Sequence, residues 1–153
     1  MSKLELKIPP AILAGAALGL IWMLRELLPN LTVIEPPYRT FANPLFLAGA
    51  SAAAVGILQF VLARTTVNPH NVDRASSLVT GGIYRVSRNP MYLGIALILA
   101  GFVVYLGNIA GILAVAAFVA YMNRFQIEPE ERVMAEKFGD AYASYQSLTR
   151  RWI

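Results

Sequence analysis

The stretch Gly82-Ile83-Tyr84-Arg85-Val86-Ser87-Arg88-Asn89-Pro90-Met91-Tyr92-Leu93-Gly94 decides how this chain is read, because two arginines and two tyrosines stand at the mouth of an apolar run that continues to Leu106. Asn89 is a favoured residue just before a helix, and Pro90 suits the first helical position, where its missing N–H is no loss. A helix is therefore expected to begin at Pro90. A second polar cluster, Glu128-Pro129-Glu130-Glu131, follows the next apolar run. The two clusters flank one helical hairpin with a tight turn at Leu106-Gly107-Asn108-Ile109, so they are expected to meet in space.

Working outward, four apolar stretches can be marked: Pro10 to Leu28, Pro44 to Ala63, Pro90 to Leu106, and Ile109 to Tyr121 or slightly beyond. Charges fall only at their ends. A membrane core of about 30 Å takes about 20 residues at about 1.5 Å each; the first two stretches meet that length and the hairpin pair is shorter. With 57% hydrophobic residues, 14% charge and a mean hydropathy of +0.54, the 153 residues do not have the composition of a soluble globule. The expected fold is an all-α integral membrane protein. It has about four transmembrane helices, including the C-terminal hairpin, and a cytoplasmic C-terminal helical cap. Residues 1–63 supply two N-terminal spans and residues 64–153 the hairpin and cap of one domain. A leading stretch after Lys3 and Lys7 can also be a signal peptide, but no convincing small-residue cleavage site precedes Arg25, so it is read as an anchor.

Charge placement gives the orientation. With the amino end inside, Lys3, Lys7, Arg64, Arg74, Arg85, Arg88, Arg124, Arg132, Lys137, Arg150 and Arg151 are cytoplasmic, and only Arg25 and Arg39 lie outside. Both termini are then cytoplasmic, as expected for a prokaryotic inner membrane protein. The net charge of +4 reads as a collar facing membrane lipids, not as a nucleic-acid surface. With no cysteine and a single histidine, thiolate chemistry is excluded and a metal site is not expected.

Between the spans, 29–43 is expected to be an irregular or short-helical cap. The loop 64–89 begins Thr65-Thr66-Val67-Asn68-Pro69-His70 and carries a Gly81-Gly82 turn. Pro129 is expected to start a helix with Glu130 and Glu131 in its first turn and Gly139 at its end. A second helix, Asp140 to about Thr149, then presents Phe138, Tyr142 and Tyr145 on one face that can lie on the bilayer surface.

Each candidate has an ordinary and a functional role. Glu130 and Glu131 complement a helix N-terminus, or one of them accepts the hydroxyls of a ribose. Arg85 and Arg88 obey the positive-inside rule, or one grips a carboxylate or phosphate with its fork. Asn89 caps the helix or reaches a ligand. Tyr84 and Tyr92 belong to an interfacial belt or face a cation. His70 reads as a loop histidine. Gly94, Gly101, Gly107 and Gly111 allow close packing in the hairpin, while Gly94 also stands where a missing side chain can admit a ligand.

Taken in order, Tyr84-Arg85, Arg88-Asn89-Pro90-Met91-Tyr92-Leu93-Gly94, Glu130-Glu131, Phe138-Gly139, Tyr142, Tyr145 and Arg151-Trp152-Ile153 resemble the isoprenylcysteine carboxyl methyltransferase and phospholipid methyltransferase superfamily. The resemblance covers roughly residue 64 to the end. It implies a membrane enzyme that binds S-adenosyl-L-methionine on the cytoplasmic side and methylates a lipophilic membrane acceptor. In the family, an arginine-histidine-proline segment and paired glutamates help hold the cofactor. Those roles carry over to Arg88, Asn89, Pro90, Tyr92, Gly94, Glu130 and Glu131, with Arg85 the alternative to Arg88 for the cofactor carboxylate. Asn89 departs from the histidine typical of prenylcysteine enzymes, which puts that acceptor in doubt. An NADPH-dependent sterol-reductase-like enzyme and a four-span transporter or scaffold are the competing readings. Oligomeric state, acceptor and any general base stay open.

Overall fold

Helices form where the apolar runs place them. The computed structural model describes residues 5–63 and 77–153; Lys3, Arg64, His70, Arg74 and the start of the inner loop lie outside the described residues. Among the described residues five α-helices follow in order: α1 (Pro10–Leu27), α2 (Ala42–Leu62), α3 (Pro90–Leu106), α4 (Gly111–Tyr121) and α5 (Glu128–Leu148). Short 3-10 turns, Pro29–Leu31 and Pro36–Phe41, make the expected cap between α1 and α2. Among the described residues the one β-type pairing is an isolated bridge between Thr32 and Asn108.

Two helical runs, Pro10–Leu27 and Pro36–Leu62, are long and apolar enough to cross a membrane. Only 11% of the most apolar 18 residues of each run is buried inside the protein, whereas the core helix of a soluble protein would be mostly covered. Trp22, Leu47, Leu58, Val61 and Leu113 face outward, at a density that a water-facing surface does not carry. α3 is a shorter apolar helix of 17 residues. α1 is an integral part of the bundle: its Ala17 and Ile21 pack in one cluster with Leu99 and Val103 of α3 and Ala114 and Phe118 of α4.

Glycine brings α2 and α3 together. A Cβ on Gly94 would lie 2.5 Å from the Gly49 carbonyl oxygen, and one on Gly49 would lie 2.6 Å from that of Gly94. One helical repeat further on, Gly101 receives the Phe46 ring, and at the other end Gly56 leaves room for Pro90 and Met91. Small residues of this kind let helix backbones approach closely in lipid. Gly94 and Gly101 thus face α2, where packing within the α3–α4 hairpin had been expected, and the space beside Gly94 is filled by α2 instead of being left for a ligand. Gly107 ends α3 in the left-handed conformation, φ 78°, which glycine adopts without strain. The buried Asn108 then closes the turn: its Nδ2 donates to Leu28 O at 2.7 Å, and its Oδ1 accepts from Ala110 N–H at 3.0 Å.

Pro129 stands at the second position of α5, with Glu130 and Glu131 in its first turn as expected, but the chain does not break before it. Tyr121, Ile127 and Glu128 all hold helical dihedrals, and α4 runs into α5 through a π-helical turn, Met122–Ile127. A proline has no N–H for the carbonyl four residues back and its ring crowds that carbonyl. Here the chain widens by one residue, with Glu128 N–H donating to Asn123 O. The freed Phe125 carbonyl accepts the Leu6 N–H at 3.0 Å. Such π turns are a known way for a helix to absorb a local conflict. Gly139 does interrupt α5, with φ 50° and ψ −126°, so the segment after it forms a separate helical piece as expected.

The tyrosine face of that piece is not on a bilayer surface. Tyr142 and Tyr145 are buried against Tyr84, with Phe138, Met134 and Phe60 packed around them. Tyr145 Oη donates to Tyr84 O at 2.6 Å. The cap is thus docked on the 3-10 turn Gly82–Arg85, which precedes α3, because three aromatic side chains bury more surface there than they would half-exposed.

Candidate functional site

The two polar clusters meet at the mouth of α3. The continuous α4–α5 helix puts Gln126 and Glu130, four residues apart, on one face. Tyr92, one turn into α3, donates from Oη to Glu130 Oε1 at 2.7 Å, and Gln126 Nε2 donates to the same oxygen at 2.6 Å. Glu130 Oε2 has no partner among the described residues. Burial raises the Glu130 carboxyl to about 7, against the opposing hydrogen bonds from Tyr92 and Gln126 and with help from the neighbouring Glu131 charge.

Glu131 faces the other way, into an arginine fork. Its Oε1 accepts from Arg88 Nη2 at 2.8 Å and its Oε2 from Arg151 Nη2 at 2.6 Å, with Arg151 Nε also reaching Oε1 at 3.2 Å. Burial is the largest single influence and acts upward, but the hydrogen bonds and charges of Arg151 and Arg88 together outweigh it and hold the carboxyl below its ordinary range. Arg151 in turn is raised, first by its bond to Glu131. Glu131 and Arg88 side chains are 13% and 12% exposed, so this pair is screened far less than a surface ion pair.

Arg88 is tied down further. Its Nη1 donates to Thr149 O and Gln146 O, and its Nε is buried with no partner. Asn89 occupies the position before the helix, its carbonyl accepting from Leu93 N–H at 2.9 Å, yet its side chain does not cap. Asn89 Nδ2 instead donates to Arg151 O at 3.0 Å. Pro90 is the first helical residue, as expected. Arg85 is exposed and lies outside this network. Tyr84 is a buried anchor whose Oη points to Gly56 O, which leaves its ring no place to face a bound cation. Burial raises Tyr84, Tyr145 and Tyr142, the last to about 12, so none of these three supplies a phenolate near neutrality.

The structure therefore joins Arg88, Asn89, Pro90, Tyr92, Glu130 and Glu131 and leaves out Arg85 and Gly94. It also adds two residues that sequence reasoning had not placed. Gln126 would have been found had the helix been read through Pro129. Arg151 stands in the collar of charges and in the C-terminal motif of the resemblance, with no site role assigned from the sequence. Beside them an open hollow of about 330 Å³ is lined by Glu128, Glu131, Arg132, Ala135 and Gln146. Among the described residues no three His, Cys, Asp or Glu side chains converge as metal ligands do.

Residues 37–141 match the phospholipid methyltransferase family. The chain belongs to that family. The match takes in α2, α3, α4 and most of α5, including every residue of the Tyr92–Glu130 and Arg88–Glu131 contacts. The phospholipid methyltransferase family member here is also similar to an uncharacterized protein of Haemophilus influenzae, with 43% identity over 63 residues, which are 41% of this chain and 100% of that protein. No solved structure matches it. Family membership makes the chain a membrane methyltransferase in type, with a lipid as the class of substrate.

Proposed function

We propose that the protein transfers a methyl group from S-adenosyl-L-methionine to a lipophilic membrane acceptor at the cytoplasmic surface, with four spans and both ends of the chain inside. One observation carries this reading: two motifs separated by a hairpin close on each other through Tyr92–Glu130 at 2.7 Å and Arg88–Glu131 at 2.8 Å. The charge distribution supports the orientation. Lys7, Arg85, Arg88, Arg124, Arg132, Lys137, Arg150 and Arg151 belong to the end where α1 and α3 begin, and Arg25 and Arg39 to the other.

The groups present fit such a cofactor. Glu130 Oε2 is an unpaired acceptor that ribose hydroxyls would satisfy, held in place by the two donors on Oε1. The buried Arg88 Nε is an unpaired donor, costly to leave so by about 1–3 kcal/mol, and a cofactor carboxylate would satisfy it. Asn89, Pro90 and Tyr92 form the adjoining wall. S-adenosyl-L-methionine supplies an electrophilic methyl whose C–S bond breaks as the bond to the acceptor forms, with the sulfonium losing its charge. The chain's task is then to hold donor and acceptor in line, the source of most of the rate when no covalent enzyme intermediate is needed.

A pH dependence follows. The ionised Glu130 accepts hydroxyls and the protonated form does so poorly, so cofactor affinity should rise as pH increases through about 7 and level off above it. Glu130→Gln should weaken affinity at high pH and flatten the profile. The stability contribution has the opposite sign: the folded state binds this proton more tightly than the unfolded state, so stability falls as pH rises from the ordinary carboxylate range to about 7. Calorimetric titration of S-adenosylhomocysteine between pH 6 and 8.5 checks the first point. The activity itself is tested by incubating purified protein with methyl-labelled S-adenosyl-L-methionine and native lipid extract. Label in an extractable lipid supports the reading, and label that stays entirely in the donor opposes it.

A further inference from the structure

The C-terminal segment is stitched to the mouth of α3 by consecutive bonds. Arg88 N–H donates to Arg150 O at 3.0 Å, Asn89 Nδ2 to Arg151 O at 3.0 Å, and Ser87 Oγ to Arg151 O at 3.3 Å. Ser87 Oγ also receives the Asn89 N–H at 3.1 Å, which fixes the donors' geometry. On the far side, Trp152 Nε1 donates to Asn123 Oδ1 at 2.9 Å on the π-helical turn, and its ring packs against the core of the bundle. Held at both flanks, Arg151 sends its guanidinium onto Glu131 through two bonds and toward Glu128 at 3.9 Å.

We propose that Arg151 is a positioning residue: the C-terminal strap clamps its backbone to Asn89, and its side chain locks Glu131 against Arg88, so that the two halves of the site are held in register for the cofactor. This deepens the methyltransferase reading and rests on it. The chemistry is specific. Glu131 has one oxygen shared by both arginines and the other taken by Arg151 alone. Without Arg151, Glu131 Oε2 loses its partner and the carboxylate is free to rotate away from Arg88. Asn89 then has a role that needs only a neutral N–H donor aimed at a carbonyl, and its identity bears on the strap before it bears on the acceptor.

The strap also separates positioning from mere stability. Thr149 N–H bonds to Tyr145 O, and Ser87, Arg88 and Asn89 hold the tail through backbone carbonyls, so these contacts survive a change of the Arg151 side chain. R151Q should therefore keep a thermal midpoint within a few degrees of the parent while S-adenosylhomocysteine affinity falls at least tenfold. R151K keeps the charge and loses the planar fork, and should fall between the two. In kinetics the KM for S-adenosyl-L-methionine should rise more than kcat falls. The double variant E131Q/R151Q should bind no more weakly than E131Q alone, because the second change removes a partner already lost.

The experiment is calorimetric titration of S-adenosylhomocysteine into the purified full chain and these variants, with thermal midpoints alongside. Parent-like affinity in R151Q overturns the proposal, and so does a loss in R151Q and R151K that merely tracks a lowered midpoint. If R151Q fails to fold, R151K decides by the same comparison. If the parent protein itself gives no binding, the methyltransferase reading falls and this inference with it; binding by the parent with unchanged affinity in the variants removes the inference alone.

Discussion

Glu131→Gln is expected to cost at least a hundredfold in S-adenosylhomocysteine affinity and to lower stability by roughly 3–5 kcal/mol, the range for removing one partner of a well-buried ion pair. The reason lies in what remains. Arg88 would keep a positive charge that is 12% exposed, with Nε already unpartnered and Nη2 newly so. The neutral amide offers one acceptor where the carboxylate offered two, and turns an N–H₂ toward one of two cations. Arg88 also holds Thr149 O and Gln146 O, so its displacement would loosen the cap as well as the site. The pH sign is fixed by the same contacts. A carboxyl held below its ordinary value contributes stability that is fully present above about pH 4.5 and is lost as pH falls through the lowered value. Glu131→Gln should remove that acid limb. Denaturation in detergent between pH 3 and 6, read by circular dichroism, checks it; an unchanged limb would assign the acid sensitivity to another group.

The second large effect belongs to Gly94→Val. Even the first carbon of a side chain would lie 2.5 Å from Gly49 O, 2.9 Å from Ala53 N and 3.0 Å from Ala53 Cβ, two of them backbone atoms that cannot rotate away. α2 and α3 must separate, at a cost of at least about 1–3 kcal/mol, as for other overpacked sites, and valine adds two more carbons. The displacement reaches the site, because α2 also supports Tyr84 through Phe60 and α3 carries Tyr92. Gly94→Val should therefore sharply reduce the yield of folded protein. Gly15→Ala is the control: nothing lies within 4 Å of its added carbon, and alanine in mid-helix should leave yield unchanged or improved. Comparable monodisperse yields for Gly94→Val and the parent would show that the helices are not in backbone contact there.

These two positions also mark where the sequence is a good guide and where it stops being one. Helix limits were legible because they depend on local signals: Asn89-Pro90 opens α3, Gly107 closes it, and the apolar runs have the length of α1 and α2. The meeting of Arg88–Asn89 with Glu130–Glu131 was legible because one tight hairpin separates them. The partner of each carboxylate was not, since it depends on side-chain direction at the end of a fold. Pro129 marks the start of α5 as its local rule suggests, but that α5 continues α4 without a break depends on a π turn and on the Leu6 N–H, more than 100 residues earlier in the chain. Tyr142 and Tyr145 carried an amphipathic pattern that says only that one face is covered. That the cover is Tyr84, and not lipid, is a tertiary fact. Gly94 likewise shows that a small residue was required without naming Gly49 as its reason.

The central claim is that the mouth of α3 and the start of α5 together enclose the methyl donor's nucleoside. Equilibrium binding of S-adenosylhomocysteine to the purified protein, with NADPH as competitor, tests it most directly. The account predicts saturable binding at one site per chain, undisturbed by NADPH and abolished or severely weakened by Glu130→Gln and Glu131→Gln. Absence of binding by the parent protein, or displacement of the ligand by NADPH, would contradict it.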